Sequence, residues 1–207
     1  GPATNGTLVF QATARGRLSA LQGSDGRPAW TADLESGPAV PVRVIGRRVL
    51  VGTSGGMLLS IDAGTGRIAA RRALPGRPST APEPAPGSVL IGTDHGVLLA
   101  LDETTLAPLW RHDAGQAITS SPVFDEGRIF FAAADRTIRC LRFTSGRRRW
   151  SARAGAACTA RPIVRGRYLY VLCYDNDIYV LNKRNGHQLT RVRLGHRLDA
   201  DPAVTAD

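Results

Sequence analysis

Lysine occurs once, at Lys183, and glutamate four times, at Glu35, Glu83, Glu103 and Glu126. Four such scattered carboxylates do not form the acidic cluster that a divalent-ion cage needs. The cysteines, Cys140, Cys158 and Cys173, form no CxxC pair and no zinc-ligand spacing, and their odd number leaves at least one thiol unpaired within the chain. The four histidines, His95, His112, His187 and His196, are dispersed in mostly polar stretches and offer no Ser-His-Asp order. No phosphate loop, nucleophile or cofactor motif is legible. The chain therefore reads as not an enzyme, with no cofactor, no metal and no catalytic residue. No apolar run approaches the roughly 18 residues that a membrane helix needs. No segment sustains the i, i+3, i+4, i+7 apolar pattern of a helix, which excludes an α-solenoid and a βαβ array. Gly1-Pro2 stands where a signal peptide would carry Met and a basic segment, and reads as a tag remnant.

What is present is a repeat, and its period is 40 residues. Trp30, Trp110 and Trp150 share one column, with Ala70 and Thr190 where the tryptophan is missing. Gly26, Gly66, Gly146 and Gly186 share another, broken only by Leu106. Pro82, Pro122, Pro162 and Pro202 form a third, with Val42 in the first cycle. Apolar columns keep the same step, as in Val9, Val49, Val89, Ile129 and Leu169. An apolar content of 43% over 207 residues is enough for a packed core.

Each unit reads as short β segments: VLVGT (49–53), a Ser-Gly-Gly turn, MLLSID (57–62), a Gly-Thr-Gly turn, a third strand around the tryptophan column and a fourth ending near the proline column. Four strands in about 40 residues, repeated, predict an all-β propeller. The expected domain spans 3–207, with five four-stranded blades at about 6–45, 46–85, 86–125, 126–165 and 166–207. Asp62 and Asp102 are placed to cap turns by accepting backbone amides ahead of them. Asp175-Asn176-Asp177 occupies a turn position and reads as a turn rather than a calcium site.

GTSGGMLLSIDAGTG (52–66) and GTDHGVLLALDETTLAPLW (92–110) resemble the pyrroloquinoline-quinone (PQQ)-like repeat, whose consensus runs G-T-x-D-G-x-L-x-A-L-D-x-x-T-G-x-x-x-W. Repeat four departs from it at Arg136 and Arg142, and repeat five lacks the tryptophan. The resemblance implies a propeller of tryptophan-docked blades, with Trp30, Trp110 and Trp150 as the docking residues. It is shared by quinoprotein dehydrogenases, the outer-membrane assembly lipoprotein BamB and sensor domains of bacterial Ser/Thr kinases. The reading most similar to this chain is the BamB type, a non-enzymatic protein-binding scaffold in the periplasm or otherwise outside the cytoplasm. A ligand-sensing domain of a larger signalling protein and a degenerate quinoprotein dehydrogenase are the alternatives. Quinone-dependent members carry a calcium-bound cofactor, an acidic base and adjacent disulfide-linked cysteines, and this chain has no Cys-Cys pair.

Residues 1–126 carry 11 basic and 11 acidic groups, and residues 127–207 carry 16 and 6, so the whole net charge of +10 falls in the last two repeats. Arg136, Arg139, Arg142, Arg147, Arg148 and Arg149 form the candidate basic flank. Its expected partner is a protein, with an anionic polymer or lipid surface as the other choice. Sequence-specific DNA binding is not expected without a recognition helix. Cys140 is expected in the core; Cys158 and Cys173 sit on successive strands, where either inert packing or a disulfide is open. The segment LDADPAV (198–204) is placed to pair with TLVFQA (7–12) and close a five-bladed ring. Five blades also fit part of a seven- or eight-bladed ring, whose raw edges would self-associate.

Overall fold

A computed structural model of the chain describes residues 2–195. Twenty strands form five four-stranded antiparallel sheets in sequence order, each one blade. Blade three shows the pattern: an inner strand Glu83–Ala85, a second strand Ser88–Gly92, a third strand Val97–Asp102 and an outer strand Pro108–Asp113. The other blades span 3–33, 43–73, 123–153 and 163–193. In every blade the register between third and outer strands slips by one residue, as between Ala100 and Leu101. Such a bulge bends and twists the strand.

The short strand begins after the proline column, not before it. Glu83–Ala85 follows Pro82 and pairs with the strand after it, Ser88–Gly92, so it is the inner strand of the next blade. Proline has no N–H to give to a ladder, which keeps the column in the crossover between blades. The same phase bears on the inner strand of blade one. Ala3–Thr4 already pairs with Val9 and Phe10 along the inner edge of Leu8–Ala12. LDADPAV (198–204), placed above to close the ring, lies outside the described residues.

Both turn columns have a backbone reason. Between second and third strands, Gly16, Gly56, Gly96, Arg136 and Asn176 all have φ between 60° and 86°. Gly26, Gly66, Leu106, Gly146 and Gly186 have φ between 58° and 75° in the next turn. That region strains any residue with a Cβ, so Leu106 needs a compensating gain. Asp62 and Asp102 cap these turns as the spacing predicts. Asp62 Oδ1 accepts from the amides of Gly64 and Thr65, and Asp102 Oδ1 from those of Thr104 and Thr105.

The core divides into four clusters, one at each junction between consecutive blades. Within a blade the strands alternate: Val49, Val51, Leu59 and Ile61 face blade one, while Leu50 and Leu58 face blade three. A sheet buried on both faces reads as a continuous apolar run, which is the character of Val97–Asp102. Tryptophans lock three of the junctions. Trp30 Nε1 donates to the carbonyl of Ala63, Trp110 Nε1 to that of Phe143 and Trp150 Nε1 to that of Lys183, each 33 residues ahead. Each ring lies on the turn glycine of the following blade. A Cβ added to Gly66, Gly146 or Gly186 would come within 2.5 Å of the ring. At the remaining junction Ala70 replaces the tryptophan, and Leu106, 1% exposed, fills the space with Ala70 packed against the same cluster.

Cys140 is buried, and burial pushes its thiol up to about 12, so it is inert packing as expected. Cys158 and Cys173 are disulfide-bonded, which decides the alternative left open above. Cys158 lies in the crossover into blade five rather than on a strand, and Cys173 just follows Tyr168–Leu172. Closing a loop of 15 residues is worth about 3 kcal/mol through the unfolded chain. Reduction, or Cys158→Ala with Cys173→Ala, is expected to lower stability by about that much. Denaturant unfolding with and without dithiothreitol measures it; coincident midpoints would show that the bond does not form.

Candidate functional site

Two features have the residues of a functional site, and both follow from the blade plan. The first is where the crossovers converge. Segments 39–43, 79–83, 119–121 and 159–161 line a cavity of about 480 Å³. Hydroxyls line this space and stitch the crossovers together: Ser79 Oγ donates to the carbonyl of Ile118, 2.8 Å, and Thr119 Oγ1 to that of Cys158, 2.7 Å. Glu83, 4% exposed, is held by Arg43 from blade two and, at 3.5 Å, by Arg161 from the crossover into blade five. Two guanidiniums on one buried carboxylate leave the cavity with a positive excess. The same pairing occupies the carboxylate, so the lining does not offer the oxygen-rich donor set of a cation cage. Sequence reasoning treated Glu83 as one scattered glutamate. The signal available was its place directly after Pro82, at the start of an inner strand.

The second feature is the basic flank. Arg142, Arg147, Arg148 and Arg149 are exposed and gathered about one turn of blade four, where the Arg142 amide donates to the Arg147 carbonyl at 2.8 Å. None of these four has an ion pair among the described residues. Arg136 is exposed at the opposite end of the blade, in the turn before the six-residue strand Thr137–Arg142. A strand of that length separates it from the others by about 20 Å.

Arg139 does not belong to the flank. It is 6% exposed, pairs with Asp135, and donates to the Ala114 carbonyl of blade three at 3.1 Å. Position 139 shares the column of Leu59, Leu99 and Tyr179, which faces the preceding blade, so alternation carries the side chain into a junction. Burial alone would raise the Asp135 carboxyl, but hydrogen bonds from Arg139 and Thr137 hold it below the usual range.

Charges of blade five are paired both across the junction with blade four and within the blade. Lys183, the sole lysine, is 5% exposed and donates to Asp125 at 2.6 Å, and that bond raises its pKa. Asp175-Asn176-Asp177 forms a turn, with the Asn176 amide on the Cys173 carbonyl. Arg191 pairs with both aspartates, and Tyr179 Oη donates to Asp175 at 2.6 Å. Among the described residues no three His, Cys, Asp or Glu side chains are grouped to hold a metal ion.

A family profile described as outer membrane protein assembly factor BamB matches residues 1–69 and 70–199. The chain belongs to the BamB family. BamB from Moraxella catarrhalis has the same fold, with TM-score 0.75 and 19% identity over 93% of this chain and 75% of that one. So does quinohemoprotein alcohol dehydrogenase ADHIIG from Pseudomonas putida HK5, with TM-score 0.78 and 18% identity over 93% of this chain and 41% of that one. The quinohemoprotein alcohol dehydrogenase of Comamonas testosteroni gives 0.78 and 15%, over 93% and 42%. The chain thus spans three quarters of one solved relative and about two fifths of the other two. No curated protein matches significantly. The propeller fold is therefore shared by BamB and by quinohemoprotein dehydrogenases.

Proposed function

We propose that this BamB-family propeller is a non-enzymatic, extracytoplasmic protein-binding scaffold, and that the arginine turn of blade four is part of its binding surface. The observation that carries the reading is the contrast within the last two blades. Arg139, Lys183 and Arg191 are consumed by carboxylates, whereas Arg142, Arg147, Arg148 and Arg149 face solvent with no such partner among the described residues. A family whose profile is named for membrane-protein assembly supports a protein partner. The disulfide supports an oxidising compartment. The fold alone does not assign this function, because it also serves dehydrogenases.

The cavity around Glu83 favours a second reading, a ligand-sensing domain of a larger signalling protein, since a polar, positively biased space at the blade crossovers suits a small anion. Poly-L-glutamate serves as a stand-in for an acidic protein face. Its affinity is expected to fall about tenfold or more in R147E/R148E/R149E and to weaken with salt, with the melting temperature unchanged. Equal affinity of parent and variant would remove the flank from the binding surface. Vesicles with anionic headgroups provide the comparison, and their preferential capture would assign the flank to lipid.

A further inference from the structure

Three charged side chains break the repeat and meet in one place. One repeat position reads Ala3, Arg43, Glu83, Val123 and Ile163, and the position two residues before it reads Pro41, Ala81, Ser121 and Arg161 from blade two onward. The other repeats carry a small or apolar residue there, yet Arg43, Glu83 and Arg161 all line the cavity of about 480 Å³ at the crossovers. Glu83 gives one carboxylate oxygen to each guanidinium: Oε1 accepts from Arg43 Nη2, and Oε2 accepts from Arg161 Nη2 at 3.5 Å. The carboxylate lies beneath the cations. Its side chain is 5% exposed, against 42% for Arg43 and 47% for Arg161. What the cavity presents to an entering ligand is therefore guanidinium rather than carboxylate.

We propose that this cavity binds the carboxylate of a small organic acid, held between Arg43 and Arg161. Glu83 is the internal template, because the two guanidiniums are already spaced to take one oxygen each of a single carboxylate. Arg43 has donors left for a second one. Its Nε donates to the Pro82 carbonyl at 3.4 Å and its Nη2 to Glu83, while both N–H groups of Nη1 meet no acceptor among the described residues. Hydrogen bonds between guanidinium and carboxylate are charge-assisted and roughly twice as strong as neutral ones. Two cations lining the cavity against one anion also favour a ligand of negative charge. Ala39, Val40 and Pro41 supply an apolar wall, and Ser121 and Thr159 a polar one, so the acid that fits has a short apolar body. The volume is in the range of small-ligand cavities. This inference rests on the ligand-sensing reading of the cavity and names the chemistry it would sense; it does not depend on the arginine turn.

The test uses the whole chain, isotope-labelled at alanine and valine methyl groups and titrated with benzoate at constant ionic strength. Saturable shifts are expected at Ala39, Val40 and Ala81, and none with benzamide, which has the same body without the charge. R43Q leaves Glu83 its pair with Arg161 and should weaken binding about tenfold or more. R43K keeps the charge, loses the planar fork and should weaken it as well. E83Q removes the internal competitor and is expected to strengthen binding about threefold or more, a gain that a purely structural ion triad does not give. Absence of saturable shifts in both parent and E83Q, or equal binding of benzamide, overturns the proposal. Benzoate binding that depends on Arg43 but leaves amide exchange in 79–83 and 159–161 unchanged keeps the site and removes the sensing reading. Loss of the site would leave the binding of poly-L-glutamate through Arg147, Arg148 and Arg149 as it was.

Discussion

Trp150→Ala is expected to destabilise the protein by about 3 kcal/mol and to loosen blade five before the rest. The indole contributes three things at once. Its ring lies on Gly186, its Nε1 donates to the Lys183 carbonyl at 3.1 Å, and its face meets Phe130 at a centroid distance of 5.9 Å. Truncating an aromatic to alanine costs about 3–5 kcal/mol when fully buried, and partial exposure of Trp150 sets the lower end. Because each apolar cluster joins only consecutive blades, the loss is not shared across the domain. Amide exchange should therefore accelerate in Tyr168–Leu172 far more than in Arg48–Gly52. Uniform acceleration of all blades would contradict a nearest-neighbour description. Gly186→Ala attacks the same lock from the other side, since it adds a Cβ within 2.5 Å of the ring at φ +75°.

The second large effect lies at the junction without a tryptophan. Leu106→Gly is expected to cost about 2 kcal/mol, the loss of a buried leucine offset in part by relief of its positive φ. Ala70→Trp alone is expected to cost a similar amount by overpacking against Leu106. Together the two changes rebuild the lock used elsewhere, with a glycine to receive the ring and the Glu103 carbonyl to accept from the indole. The double variant should return to within about 1 kcal/mol of the parent, a coupling of about 3 kcal/mol. Denaturant melts of the four proteins in the cycle give the number, and simple additivity would show that Leu106 does not occupy the tryptophan's place.

The repeat and its locks were legible because they are local and periodic. Trp30, Trp110, Trp150 and their glycines recur at a fixed step, and Asp62 and Asp102 cap turns within three residues of themselves. What escaped depends on which face a residue takes or on what meets it from another blade. Arg139 looks like its exposed neighbours in sequence, but alternation turns it into a junction with Asp135. The inner strand was placed on the wrong side of the proline column because three residues carry too little pattern to show their partner. Glu83, Arg43 and Arg161 come from three different repeats, so no spacing within one repeat announces them. The breaks at Ala70 and Leu106 were visible as two separate defects, and only packing shows them to be one exchange.

That exchange also makes the junction between blades two and three sterically unlike the other three. A tryptophan-bearing blade cannot seat on the Leu106 turn without collision, and a blade bearing Ala70 leaves a hole on any glycine turn. The Leu106 turn of blade three therefore accepts the Ala70 face of blade two and rejects the tryptophan faces of blades one and four. In a chain whose units are similar enough to pair out of order, within one molecule or between two emerging side by side, a single mismatched lock discriminates correct succession from exchange.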